Sequence, residues 1–122
     1  MRKFLLAFSL LLLSVQSFAN VPTPHFLYKI LSPAAWTESQ GMQSAVINSP
    51  EETYILLTRE DQLTHLLDKN WANIPAVVLK VDASKLVGDL VFEEDATESG
   101  EYYHLYNGQI PQDAVIEIDN WN

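Results

Sequence analysis

Tyr102, His104 and Tyr106 stand two apart in the stretch EYYHLYNG, residues 101–108. In a strand, that spacing puts an imidazole between two phenols on one face, with Tyr103 and Leu105 on the other. Such a face suits a ligand, because it offers aromatic walls for stacking and a group that donates or accepts near neutral pH. It equally suits a structural strand, since tyrosine favours sheets and a partly buried histidine can bond a backbone carbonyl. The segment alone leaves both readings open. Just upstream, Glu93, Glu94, Asp95, Glu98 and Glu101 form an acidic run. It lacks the D-x-D-x-D-G spacing of a calcium loop and reads as a mobile, solubilising loop. His65 and Asp68 fall at i and i+3 of a helical pattern, which is a solvated face rather than half of a metal site. His25, His65 and His104 lack zinc-ligand spacing, so no metal is expected. Phosphate-cradling glycine loops, HExxH and G-x-S-x-G are all absent, and no cysteine is available as a nucleophile.

The elements that must position these groups can be read along the chain. FLYKI, 26–30, has strand composition. Ser32-Pro33 then supplies an N-cap and a first-turn proline for the helix PAAWTESQ, closed by Gly41. QSAVIN reads as a short strand and SPEET as a turn. TYILL, 53–57, is a strand, and Thr58 with Asp61 three residues on resembles a capping box opening a helix. In that helix Leu63, Leu66, Leu67 and Trp71 share a face. AVVLKVD is apolar almost throughout, as a strand buried on both sides would be. ASKL makes one helical turn, GDLVFEE a strand, EYYHLYN another, and AVIEIDNW the last, after a loop containing Gly108 and Pro111. Five to six strands and two helices, with the helices confined to the first half, predict an α+β fold with a compact split or mixed sheet.

The ends and totals set the context. MRKFLLAFSLLLLSVQSFAN has two cations, an apolar run from Phe4 to Leu13, and small residues at Ser17 and Ala19. About ten apolar residues at ~1.5 Å each reach roughly half of a ~30 Å hydrocarbon core, so the run reads as a signal peptide cleaved after Ala19. Residues 20–25 form an extended leader and 26–122 a single domain. The expected destination is the periplasm or the extracellular medium, with no stable membrane association after cleavage. No cysteine is present to form a disulfide or carry a lipid. Of the seven cations Arg2 and Lys3 leave with the signal, so five face 16 acids, a net charge of −11. A surface of that sign repels polyanions, which argues against nucleic acid as a partner.

The series LYKIL, a helix with Trp36, TYILLTREDQL, VVLKVDASKL, LVFEE and YYHLYNGQIPQDAV resembles the bacterial domain family of unknown function DUF952. The likeness spans roughly Phe26 to Ile118. It implies the fold of the ADP-ribosyltransferase and RNA 2′-phosphotransferase group, with a nucleotide-binding cleft. It also implies functional positions at Lys29, Thr58, Glu93, His104 and Tyr106. Two positions depart from the family pattern. Leu56 stands where an imidazole is usual, and Tyr103 replaces a proline. Leucine neither donates nor accepts a hydrogen bond, and losing a positioned acid or base typically costs 10²- to 10⁴-fold in rate. The expectation is therefore a non-catalytic module that binds a small molecule or protein through Lys29, Thr58, Tyr102, His104 and Tyr106, with no cofactor. An enzyme using NAD, with Glu93 and His104 catalytic, is the alternative. A periplasmic assembly factor presenting exposed aromatics such as Trp121 is another.

Overall fold

A computed structural model describes residues 22–41, 45–46 and 53–122. Residues 1–21, where a signal peptide is expected, and most of the QSAVIN and SPEET segments lie outside the described residues. In order, the chain forms β1 (Phe26–Leu31), α1 (Pro33–Gln40), β2 (Ala45–Val46), β3 (Tyr54–Leu57), α2 (Glu60–Asn70), β4 (Ala76–Asp82), β5 (Val87–Glu94), β6 (Glu101–Pro111) and β7 (Val115–Trp121). The class is α+β, with two helices and, besides the two-residue β2, six strands. All strand pairings are antiparallel and divide into two sheets. In the first, β4 lies between β1 and β7; in the second, β6 is the spine, paired with β5, β3 and β2.

The core lies between the sheets. Leu27, Leu31, Val77, Leu79 and Val81 of the first meet Ile55, Leu57, Tyr103, Leu105 and Ile110 of the second. Ala35 and Trp36 of α1 pack against this cluster. The opposite face of the first sheet carries Tyr28 and Val78, covered by Leu67 and Leu63 of α2 with Trp71 and Trp121. This is why β4 reads as an unbroken apolar run, for Val77 and Leu79 face one layer while Val78 faces the other. β7, in contrast, pairs only with β4 among the described residues. Its Ile116 and Ile118 are about half exposed, at 49% and 51%.

α1 starts as its sequence predicts, with the Ser32 hydroxyl accepting from Ala35 N–H at 3.1 Å and proline in the first turn. α2 starts one residue later than its sequence suggests. Thr58 N–H donates to Tyr28 C=O at 2.9 Å and Thr58 C=O accepts from Tyr28 N–H at 2.8 Å. With both backbone groups committed to β1, Thr58 cannot open a helix. Arg59 caps instead, its N–H donating to the Gln62 side chain at 3.1 Å.

β6 also runs further than predicted, through Gly108 to Pro111 rather than stopping in a loop. The register against β5 slips between Val87 and Asp89, where Gly88 sits at φ 125°. A Cβ on Gly108 would lie 1.9 Å from the Val87 carbonyl oxygen. Two glycines thus let the backbones cross closely enough to keep the ladder going. Trp121 is not a free aromatic either; its indole N–H donates to Trp71 C=O at 3.1 Å. A buried donor needs an acceptor, and the end of α2 supplies one.

Gly108→Ala is expected to destabilise the protein by about 3 kcal/mol, at the upper end of overpacking costs. Equilibrium denaturation of the variant beside the wild type measures it.

Candidate functional site

Two neighbouring groups of side chains hold the predicted site residues. The first surrounds His104. In the ladder Leu56, His104 and Val91 are aligned across β3, β6 and β5, so the outer face of the second sheet carries Tyr102, His104 and Tyr106, as alternation requires. Tyr103 and Leu105 face the core. Its imidazole is only 2% exposed. Nδ1 lies 2.8 Å from Glu93 Oε1 and Nε2 lies 2.9 Å from Asp95 Oδ1. The Tyr54 ring stacks on it, with centroids 3.8 Å apart.

The carboxylates are held ionised. The Tyr106 hydroxyl and then the His104 ring, both bonded to Glu93, keep its carboxyl below the usual range. In return, Glu93 raises the Tyr106 phenol. For Asp95, burial pushes the carboxyl up, but hydrogen bonds more than offset it and leave the group well below the ordinary range. Oδ2 accepts from the N–H groups of Glu98 and Thr97 at 2.8 and 3.0 Å and from the Thr97 hydroxyl at 3.0 Å. The Tyr54 hydroxyl donates to Oδ1 at 2.8 Å. Ionised carboxylates only accept hydrogen bonds, and each nitrogen of His104 lies against one of them. Both ring nitrogens are thus engaged by carboxylates of the protein itself. Of the Tyr-His-Tyr face, His104 and Tyr102 are buried, and the imidazole nitrogens meet carboxylates of the protein.

The segment expected to be a mobile acidic loop is the turn that builds this cage. Asp95 N–H donates to Gly100 C=O at 3.1 Å, and Glu98 accepts from Lys69 Nζ at 3.1 Å and Asn70 Nδ2 at 3.0 Å on α2. Asp95 and Tyr54 are the functional-looking residues that reading the sequence missed. The signal for Asp95 is D-x-T at the head of a turn, the pattern of an aspartate that caps its own backbone.

The second group lines a cleft of about 170 Å³ between β1, the end of β3 and α2. Lys29, Leu56, Thr58, Leu66, Asn70 and Trp71 form its walls. Lys29 is 7% exposed and Thr58 is buried. The structure therefore gathers Lys29 and Thr58 in one hollow and Glu93, His104 and Tyr106 in another cluster, rather than all five in one place. Leu56 joins the two, lining the cleft while standing opposite His104 in the ladder. Leu56 thus presents an aliphatic surface to the hollow.

His104→Ala leaves two carboxylates without the imidazole they share. Breaking a buried pair from one side costs on the order of 3–5 kcal/mol. Chemical denaturation at pH 7 should show a loss of about 3 kcal/mol. Because the folded values of Glu93 and Asp95 lie below their unfolded ones, the stability they contribute is complete above the carboxylate range and is lost as pH falls through it. Denaturation midpoints should decline below about pH 4, and the decline should be shallower in Asp95→Asn.

Residues 30–118 match the family described as protein of unknown function DUF952. Among solved structures, protein CC0527 from Caulobacter crescentus is similar, with 26% identity and a TM-score of 0.64 over 80% of this chain and 86% of that one. A double mutant of the same protein matches at 25% identity with the same TM-score and coverage. No curated protein matches the chain in sequence. With the match running from β1 into β7 and enclosing every residue of the cage and nearly all of the cleft, the chain belongs to the DUF952 family.

Proposed function

We propose that this protein is an exported, non-catalytic module that binds a small molecule in the cleft formed by β1, β3 and α2. The observation that carries the reading is the lining. A buried lysine, a buried threonine, a carboxamide and an indole meet at one hollow with apolar walls, the combination typical of ligand sites. Turnover is left out for two reasons. Leu56 puts no acid or base into the cleft, and both nitrogens of His104 are engaged with carboxylates. A general base needs a free lone pair within reach of the proton it removes. The cage instead stiffens the sheet that forms the floor beside the cleft. No cofactor and no nucleic acid enter this reading, and the signal sequence would be removed after Ala19, so that the mature chain begins at Asn20.

A thermal-shift screen of a broad small-molecule library against the mature chain should yield at least one stabilising compound. Its effect should vanish in Leu56→Trp, where the larger side chain fills the hollow. Hits that stabilise both forms equally would remove the cleft from the proposal, and nicotinamide release from NAD above the buffer rate would contradict the non-catalytic reading. Expression of the full chain in a bacterium should deliver a periplasmic product whose first residue is Asn20. Retention of residues 1–19 would overturn the export assignment.

A further inference from the structure

A surface apart from the cleft suits a partner of a different kind. The side chains of residues 116–120 in β7 are all exposed, and among the described residues the strand pairs with β4 alone. An edge of this kind leaves a row of backbone donors and acceptors open to another strand. Its regular part is residues 117–121, opposite 76–80, before the register slips between Lys80 and Val81.

The two faces of this edge differ. Cross-strand partners share a face, so Ile118, opposite Leu79, lies on the side of the core between the sheets. Glu117 and Asp119, opposite Lys80 and Val78, lie on the side of α2. Neither carboxylate has a hydrogen-bond or salt-bridge partner among the described residues. Lys80, the cation opposite Glu117, is turned the other way. Its Nζ lies 4.5 Å from the centre of the Phe26 ring, on β1, which flanks β4 on the side away from β7. Two unneutralised charges thus stand about 7 Å apart along the strand, with exposed isoleucines on the opposite face.

We infer that β7 is a docking edge for an extended segment of another protein in which basic and aliphatic residues alternate. Such a segment adds as a strand. Main-chain hydrogen bonds supply the pairing, basic side chains stand beside Glu117 and Asp119, and aliphatic ones cover Ile118. The formal charge of −9 on the chain attracts cationic partners from further away.

The probe is a short capped peptide of alternating lysine and valine, with its glutamate-valine counterpart as control, titrated into isotope-labelled mature protein by NMR. The lysine peptide should shift the amides of residues 117–120 and slow their exchange with solvent. Two reversed charge pairs should make the glutamate peptide bind at least about tenfold more weakly. Added salt should weaken the lysine complex. In the double variant Glu117→Lys, Asp119→Lys, which alters exposed positions only, the order should invert. Methylating alternate backbone nitrogens of the lysine peptide removes the donors along one of its edges, and one of the two possible patterns should abolish binding. Leu56→Trp, which fills the cleft, should leave peptide binding intact. Equal affinity of the two peptides, or an order unchanged in the double variant, would overturn the inference. So would a lysine peptide that leaves residues 117–120 unmoved or binds equally well with either methylation pattern. A dimer of the protein alone that protects the same amides would make a second copy the occupant and overturn it too.

Discussion

Two hydrogen bonds between Tyr28 and Thr58 hold the rest of the arrangement together. They form the isolated bridge that ties the edge of β1 to the end of β3, and so join the two sheets by backbone hydrogen bonds. Their consequences reach in two directions. They bring Lys29 and Thr58, which are 29 residues apart in sequence, to the same hollow. They delay α2 by one residue, which sets where Leu66 and Asn70 fall. A backbone bridge carries no side-chain signature, so nothing in the residue types of Tyr28 or Thr58 announces it.

The cage around His104 is a second organising unit. An imidazole buried in hydrocarbon would have to be neutral. Here it is sandwiched between two carboxylates and beneath a tyrosine ring, with each acceptor supported by further donors. Asp95 alone accepts from the backbone, two hydroxyls and the ring. Networks of this kind are favourable only when every member is satisfied. The acidic turn is therefore not spare negative charge but the scaffold that satisfies one side of the ring. Through Glu98 it is also fastened to the helix that walls the cleft.

Much of the fold was legible because local chemistry and tertiary role agree. Ser32-Pro33, the alternation in β6 and the double-sided apolar run of β4 each mean in the structure what they mean in sequence. The misreadings cluster where a distant segment decides. Thr58 looks like a helix cap until β1 takes its backbone groups. Gly108 looks like a loop until Gly88, from the facing strand, shows why both must be glycine. Trp121 looks exposed until the end of α2 offers it a carbonyl. At the site, sequence named Lys29, Thr58, Glu93, His104 and Tyr106 but could not divide them into a hollow and a cage, since that division depends on which distant side chains each one meets. Asp95 was hidden among other acids, of which charge alone gives no ranking.

The free side of β7 alternates half-exposed isoleucines with Glu117 and Asp119. Were two copies to add strand to strand, antiparallel about Ile118, Glu117 of each would face Asp119 of the other. Like charges directly opposite are unfavourable, so the molecule repels its own image along this edge strand, whose backbone amides would otherwise invite pairing.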